Sequence, residues 1–343
     1  MKRLVIIGGG FAGTHIAKEL EKKFETTLID TKDYFEFTPG ILRALVKPGF
    51  ERKLQAKHKD YLKRTQIVIG HADIVSNKYV KVGSKKIKYD YLAVCAGSGY
   101  ETPFKQDNVL IASHTKDLER YHKTIDQSKS IVIVGGGLVG VELAAEIAYF
   151  YPNKKVTIIH SKKALVERNP KAAQRYILSY LAERGVWILL NQKAKKVSKN
   201  RVSTDRNFTM PADVVLLCTG IKPNSIFFDK HFRHALDNNK NVIVNPHLMV
   251  HGTKNVFAAG DITNIYEEKT AQAASKQANI VVKNIIALEN KEKLSEYTPR
   301  SRPLVISLGP LDGIFVYKKF VYTGLIPGLL KWVIEKMEMG DYT

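Results

Sequence analysis

A glycine-rich segment with the spacing GxGxxG occurs twice in this chain of 343 residues. The first copy follows the apolar run 4–7, and the second follows the apolar run 131–134. In each copy the first glycine permits a tight turn, the second lets the backbone approach a pyrophosphate, and the third lets a helix pack on a strand. The duplication predicts an α/β fold with two Rossmann-like dinucleotide-binding domains. The six glycines are Gly8, Gly10, Gly13, Gly135, Gly137 and Gly140.

The residue that ends the second strand of each unit indicates how a ribose is held. In the first unit this residue is Asp30, whose carboxylate can accept hydrogen bonds from ribose hydroxyls. In the second unit the strand ends at His160 and Ser161, and two lysines follow. Because no carboxylate stands there to repel a 2′-phosphate, the second unit is open to NADPH as well as NADH. The alternative is that Lys162 and Lys163 only face solvent.

Other apolar patterns predict the elements around these units. Helices are expected over residues 14–23, 141–149, 270–288 and 327–337. One strand is expected over residues 197–202, and a hairpin over 304–307 and 314–317. No apolar run reaches the length of about 18 residues that a transmembrane helix needs, so none is predicted.

Charge and cysteine content limit the classes of partner. Lys and Arg number 54 against 33 Asp and Glu, which gives a net charge of +21 and favours anionic partners. Such partners include nucleic acid, an anionic membrane face and phosphorylated cofactors. The two cysteines, Cys95 and Cys218, cannot form a disulfide framework or a cysteine-based metal site. We expect both to be small packing residues, and no metal site is predicted.

The combined motifs resemble the flavoproteins that contain two dinucleotide-binding domains. Besides the glycine loops, the chain has Ala96-Gly97-Ser98, Thr219-Gly220 and, later, Ala259-Gly260-Asp261. In that group the first domain holds FAD, and a second domain inserted into it holds NAD(P)H. The resemblance implies an FAD domain over residues 1–112 and 245–301 and an NAD(P)H domain over 113–244. Residues 302–343 would then form a small hairpin and helix region for membrane or dimer contact.

Smaller segments narrow the subgroup. The cysteine pair of the disulfide reductases is missing after the first unit, where Phe37-Thr38-Pro39 instead resembles the type II NADH dehydrogenases. Residues 141–147, His160-Ser161 and 218–222 are similar to the ferroptosis suppressor group of apoptosis-inducing-factor-like quinone reductases. This resemblance implies an FAD-dependent NAD(P)H:quinone oxidoreductase. Hydride would pass from the nicotinamide to flavin N5, and two electrons would then pass to a quinone.

The resemblance also implies roles for particular residues. Glu142 and Gln272 would be the catalytic residues. Glu142 would orient the nicotinamide, although its alternative role is that of a carboxylate favoured by the dipole at a helix N-terminus, and Gln272 would lie at the flavin. Where type II dehydrogenases have a second glutamine after Gln272, this chain has Lys276, followed by Gln277. Contacts to FAD or NAD(P)H are expected from Gly8, Gly10, Gly13, Asp30, Lys32, Arg43, Ala72, Ala96, Gly97, Gly135, Gly137, Gly140, His160, Ser161, Gly220, Gly260, Asp261 and Ala271.

The last segment predicts an amphipathic helix. Its apolar stripe is flanked by Trp332 and Ile334 and includes Ile326, Leu329, Leu330, Val333 and Met337. At this length the helix cannot span a bilayer but can lie in its interface, which predicts a cytoplasmic protein peripheral to a membrane. The alternative is an ordinary core helix or the contact of a homodimer.

Two other functions stay open at this point. A basic surface could dock an acidic electron carrier such as ferredoxin, which would make the chain a reductase of that carrier. A redox-sensing flavoprotein that binds nucleic acid is the less favoured alternative, because the sequence has no helix-turn-helix, RNA-recognition or zinc-finger pattern.

Overall fold

The computed structural model describes residues 1–100, 109–111, 118–198 and 200–342. The α-helices in this part of the chain are α1 Phe11–Leu20, α2 Ile41–Ala44, α3 His58–Tyr61, α4 Leu118–Gln127, α5 Leu138–Phe150, α6 Lys171–Glu183, α7 Ala271–Asn290 and α8 Leu325–Gly340. The strands are β1 Arg3–Ile7, β2 Glu25–Asp30, β3 Tyr34–Glu36, β4 Gln55–Lys57, β5 Gln66–Ile69, β6 Ile74–Val75, β7 Tyr79–Val82, β8 Lys85–Lys88, β9 Tyr91–Val94, β10 Ser98–Tyr100, β11 Val109–Ile111, β12 Ser130–Val134, β13 Lys155–His160, β14 Trp187–Leu190, β15 Ala194–Ser198, β16 Arg201–Thr204, β17 Thr209–Pro211, β18 Val214–Leu217, β19 Ile221–Pro223, β20 Val256–Ala258, β21 Leu304–Ser307, β22 Gly313–Tyr317 and β23 Phe320–Gly324.

Two five-stranded parallel sheets form the centre of the molecule. The first has the strand order β20-β9-β1-β2-β5, and the second has the order β11-β18-β12-β13-β14. Both faces of β1 are buried, with Leu4 and Ile6 in one apolar cluster and Val5 and Ile7 in another. Such continuous apolar runs are typical of parallel strands covered on both faces. The predicted fold of two Rossmann-like units is confirmed.

In each unit the helix packs very closely on the preceding strand. A Cβ at Gly13 would overlap the carbonyl oxygen of Gly8, and a Cβ at Gly140 would overlap that of Gly135. Gly8 and Gly135 have φ of 99° and 115°, values that side chains disfavour, so the turns also require them. Helix α1 begins at Phe11, three residues before the predicted start, because the glycine turn itself opens the helix.

The connections between the units differ from the predicted bounds. Strand β11 pairs with β18 in the second sheet, although the prediction placed it in residues 1–112. Phe227, Phe228 and Val242 share an apolar cluster with Val5 of the first sheet, although the prediction placed them in the second domain. Strands β10 and β19, which precede and follow the second unit in the sequence, pair as an antiparallel ribbon. The chain therefore crosses over before residue 113 and has returned to the first sheet by residue 227.

Two predicted elements were wrong in detail. The strand expected over residues 197–202 is a hairpin, in which Val197 of β15 faces Val202 of β16 and Asn200 turns with φ of 62°. The expected hairpin near residue 310 is a three-stranded sheet, because β23 pairs with β22. Helix α8 packs against this sheet and exposes part of its own surface. Among the described residues, no helix is both long and apolar enough to cross a membrane.

A buried ion pair joins the first unit to the second. The guanidinium of Arg43 in α2 donates to Glu146 Oε1 of α5 at 2.7 Å, and the two side chains are 16% and 3% exposed. The same guanidinium also donates to the carbonyl oxygen of Gly309 at 3.2 Å. Arg43 thus connects three parts of the chain.

We predict that Arg43→Met lowers the free energy of unfolding by about 3–5 kcal/mol, because it leaves the buried Glu146 carboxylate without its counter-ion. Urea unfolding of the variant would measure this loss. The matched control is Lys240→Met, which removes the exposed pair with Asp229 and should cost less than about 1 kcal/mol. Equal losses in the two variants would contradict a structural role for the buried pair.

Candidate active site

A cleft of about 580 Å³ opens at the carboxyl edge of the first sheet. It runs from the first glycine turn past the N-terminus of α7 to β21 and α8. Ligand sites in open α/β folds lie at this edge, because the strand ends and helix N-termini meet there. The predicted site residues that line the cleft are Gly8, Gly10, Asp30, Lys32, Ala96, Gly97, Glu142, Gly260, Asp261, Ala271 and Gln272.

The space beside Gly10 indicates what the first turn approaches. Gly10 has φ of −85°, which any residue adopts, and a Cβ there would meet no protein atom within 4 Å. Neither strain nor crowding by the described protein therefore requires glycine at this position. The open space lets a ligand approach the backbone of the turn, and the chemistry of a helix N-terminus suits an anion such as the pyrophosphate of a dinucleotide. Gly137 has the same open surroundings in the second unit.

Asp30 is held in place by groups that sequence reasoning missed. Its Oδ2 accepts the Gly9 N–H at 2.7 Å and lies 3.4 Å from Nε2 of the fully buried His58. The Nδ1 of His58 lies 2.5 Å from the Tyr61 hydroxyl. Burial alone would raise the pKa of Asp30, but the hydrogen bond from His58 and the charge of Lys32 hold it below its usual value. Asp30 is therefore an oriented carboxylate that fits a ribose hydroxyl.

The other side of the cleft is built around α7. Gln277, which is buried in α7, accepts the Gly260 N–H at 2.7 Å and fixes the turn before Asp261. Asp261 accepts a hydrogen bond from the Ser98 hydroxyl at 3.0 Å, and burial raises the pKa of its carboxyl. The N-terminus of α7, capped by Thr270, opens into the cleft with Ala271 and Gln272. Its partial positive charge fits an anionic edge of a bound ring.

Glu142 lies where the two units meet the C-terminal sheet. Its Oε1 accepts the Ser307 N–H at 2.8 Å and the Lys331 ammonium of α8 at 3.1 Å. Both Glu142 and Lys331 line the cleft. They also border a small polar cavity that Arg43, Glu146 and Glu335 line, and burial raises the pKa of the Glu335 carboxyl. Lys331 lies far from Glu142 in sequence, so no local pattern could pair them.

Some predicted residues lie outside the cleft. Arg43 does not line it, because Glu146 and the Gly309 carbonyl hold its guanidinium, so the prediction of an FAD contact for Arg43 is not supported here. Ala72 packs against the apolar cluster beneath the first sheet. Gly13 is buried beneath the first turn. The second unit brings together Gly135, Gly137, Gly140, His160, Ser161 and Gly220 at the carboxyl edge of its own sheet.

The cysteines lie where packing was expected. Cys95 and Cys218 are buried next to the ends of β9 and β18, and burial raises the pKa of both thiols to about 12. Neither thiol is therefore ionised at neutral pH. Among the described residues, no group of three or more histidine, cysteine or acidic side chains is placed to bind a metal ion.

The family model described as pyridine nucleotide-disulphide oxidoreductase matches residues 2–278. The chain belongs to this family. Membership confirms the prediction of an oxidoreductase that uses FAD and NAD(P)H. Human ferroptosis suppressor protein 1 is 32% identical over 346 residues, which cover 96% of this chain and 92% of that protein. Apoptosis-inducing factor homolog B of Dictyostelium discoideum is 32% identical over 345 residues, which cover 91% of this chain and 89% of that protein.

Solved structures share the fold over nearly the whole chain. The sulfide:quinone oxidoreductase of Aquifex aeolicus has a TM-score of 0.88 at 20% identity, and the match covers 100% of this chain and 91% of that one. NDH2 from Plasmodium falciparum in complex with NADH has a TM-score of 0.85 at 15% identity and covers 99% and 97%. At these identities the matches establish the architecture alone.

We predict that Gly10→Ala leaves folding intact but abolishes FAD retention, because its Cβ meets only the space that the cofactor would occupy. The cost in unfolding free energy should stay within about 1 kcal/mol, the usual cost of alanine at a helix N-cap. Flavin absorbance per polypeptide after purification would report the loss. Gly137→Ala is the matched control, since it adds the same methyl group to the second turn and should retain FAD. Equal flavin content in both variants would contradict the assignment of the first turn to FAD.

Proposed function

We propose that the protein is an FAD-dependent NAD(P)H:quinone oxidoreductase that works at a membrane surface. The observation that supports a quinone is the far end of the cleft. There the C-terminal sheet and α8 contribute Leu304, Val305 and Ile334 to the lining, together with Lys331 and Glu338. Apolar side chains beside the polar pair of Lys331 and Glu142 suit a quinone, which is a flat ring with two carbonyl oxygens.

The solved structures with this fold name different redox partners. A solved structure with this fold is a sulfide:quinone oxidoreductase, and another is NDH2 with NADH bound. A ferredoxin reductase from Rhodopseudomonas palustris also shares the fold, with a TM-score of 0.78 at 16% identity. The fold therefore leaves the acceptor open, and the apolar lining carries the proposal of a quinone.

The first unit would hold FAD, with its ribose at Asp30 and its pyrophosphate at the turn around Gly10. FAD, when bound, supplies the two-electron transfer between the nicotinamide and the quinone. Asp261 and the α7 N-terminus would position the ring, and the helix dipole would stabilise negative charge at its edge. The second unit would hold NAD(P)H, with Glu142 at the junction where nicotinamide and ring meet.

Reduction of a quinone to a quinol takes one hydride equivalent and one further proton. The pair of Lys331 and Glu142 borders the cleft and joins the small polar cavity behind it. The Lys331 ammonium can donate a proton to a quinone oxygen and recover one from the adjoining polar cavity, where burial raises the pKa of the Glu335 carboxyl. Only this step of the turnover needs a proton donor in the protein, so acceptors that take electrons alone should not depend on it.

The exposed face of α8 would rest on the membrane. Ile326, Trp332 and Met337 are 61%, 52% and 70% exposed. The tip of the β22–β23 hairpin adds two exposed lysines, Lys318 and Lys319, next to the exposed Phe320. Exposed apolar side chains next to basic ones fit the interface of an anionic bilayer. A dimer that covers the same face is the alternative occupant.

We predict that the purified protein is yellow and couples NAD(P)H oxidation to reduction of a short-chain quinone, and that Lys331→Met slows this turnover by about 100-fold through loss of the proton donor. The same variant should keep ferricyanide reduction within about threefold, because ferricyanide accepts electrons without protons. Steady-state rates with both acceptors and with ferredoxin would test the proposal.

Lys336→Met, on the exposed side of α8, is the matched control and should leave both rates unchanged. A colourless protein that does not bind added FAD would contradict the proposed function. Ferredoxin turnover without quinone turnover would favour the carrier reductase instead.

We predict that the double variant Ile326→Asp/Val333→Asp binds anionic vesicles at least about tenfold more weakly, since it places charge within the apolar face. Sedimentation with phosphatidylglycerol-containing vesicles would measure binding. Ferricyanide turnover should be unchanged, because neither side chain lines the cleft. The control Leu178→Asp/Ile226→Asp changes two exposed apolar residues elsewhere and should bind like the wild type. Unchanged vesicle binding together with a shift from dimer to monomer would show that a second copy covers this face.

A further inference from the structure

The two units place different residues at one equivalent position. In the first unit the Gly9 N–H donates to Asp30 at 2.7 Å, and in the second the Gly136 N–H donates to Nδ1 of His160 at 3.0 Å. Each glycine follows the first glycine of its motif, and each acceptor is the last residue of the second strand. His160 thus occupies the position that the ribose-facing carboxylate has in the first unit.

His160 cannot perform the same chemistry as Asp30. A backbone N–H only donates, so Nδ1 of His160 is the acceptor and the ring proton lies on Nε2. That Nε2–H donates to Oε2 of Glu167 at 3.2 Å. Both ring nitrogens are engaged, so the imidazole offers no acceptor to a ribose hydroxyl. The carboxylate at this position therefore belongs to Glu167, which His160 holds by a hydrogen bond.

The loop after β13 fixes Glu167 beside the glycine turn. The Val166 N–H donates to the Gly136 carbonyl oxygen at 2.9 Å, and a Cβ on Gly136 would overlap Leu165. The Glu167 side chain is 41% exposed and thus within reach of a ligand. Partial burial alone would raise its pKa, but hydrogen bonds from its own backbone N–H and from His160 keep the pKa below the usual value. Glu167 is a carboxylate at neutral pH.

We propose that Glu167 is the specificity-determining residue of the second nucleotide site. Its carboxylate accepts from the adenosine ribose hydroxyls of NADH, as a strand-end carboxylate would, and it repels the 2′-phosphate of NADPH. Lys162, exposed in the same loop, attracts that phosphate. The opposite charges of Glu167 and Lys162 therefore set the relative use of NADH and NADPH. The inference relies on the proposed function only for NAD(P)H as the electron donor.

Glu167→Gln tests this proposal, because it keeps the size of the side chain and removes its charge. We expect the ratio of kcat/KM for NADPH to kcat/KM for NADH to rise about tenfold, as for loss of one charge close to a phosphate. Lys162→Gln should lower the same ratio. Ferricyanide as acceptor keeps the measurement independent of quinone reduction, so failure of the quinone proposal would leave the ratio measurable.

Calorimetric titration of the holoenzyme with 2′,5′-ADP and with 5′-AMP gives a readout that needs no turnover. The affinity of Glu167→Gln for 2′,5′-ADP should rise, and its affinity for 5′-AMP should fall or stay the same. Glu183→Gln is the matched control, because it removes an exposed carboxylate of the same unit at the end of α6. A ratio in Glu167→Gln equal to that of wild type, or to that of Glu183→Gln, would overturn the proposal.

Discussion

The close packing of each helix on the strand before it is the constraint on which the other features depend. A side chain at Gly13 or Gly140 would collide with the carbonyl oxygen of the first glycine in its own turn. With glycine there, the helix N-terminus and the turn come to the edge of the sheet together, and the free backbone N–H groups face the same opening. The second strand of each unit ends beside this turn. The last side chain of that strand therefore accepts the N–H of the second residue of the turn, which is Gly9 or Gly136.

The same backbone can thus support two sites with different selectivity. Asp30 accepts the Gly9 N–H with Oδ2, while its Oδ1 accepts longer bonds from the Lys32 N–H and the Thr31 hydroxyl, at 3.2 and 3.4 Å, which a ribose hydroxyl could replace. His160 accepts the Gly136 N–H with its only unprotonated nitrogen. The carboxylate at this site is instead that of Glu167, which accepts the Nε2–H of His160 and is more exposed. An exposed loop carboxylate is easier to displace than a buried one, so the second site can discriminate less strictly against a phosphate. This fits a site that exchanges its nucleotide in each turnover, whereas the first site retains its cofactor.

Local patterns predicted the parts of the structure that are local. The glycine spacing and apolar runs predicted both βαβ units, because a turn, a strand and a helix are each encoded within a few residues. The strand expected over residues 197–202 was wrong because Asn200 can adopt a positive φ, and the periodicity continues across the turn it makes. The sequence predicted that Arg43 contacts the cofactor. In the structure its guanidinium instead pairs with the buried carboxylate of Glu146, about 100 residues later, which needs a counter-ion. His58, Lys331 and Glu167 were missed for the same reason, since each is defined by a partner that only the fold brings near.

Helix α8 gives the cleft and the proposed membrane face a common support. Lys331 and Glu335 are one turn apart and face inward, toward Arg43 and Glu142. Val333 and Met337 are also one turn apart and face outward. An apolar substrate dissolved in a bilayer would therefore meet the outer face of the same helix whose inner face carries the proposed proton donor. Because one rigid helix presents both faces, contact with a membrane would fix the position of Lys331 relative to the entering quinone. The quinone would then diffuse a short distance from the lipid to the cleft and would not have to be bound from water.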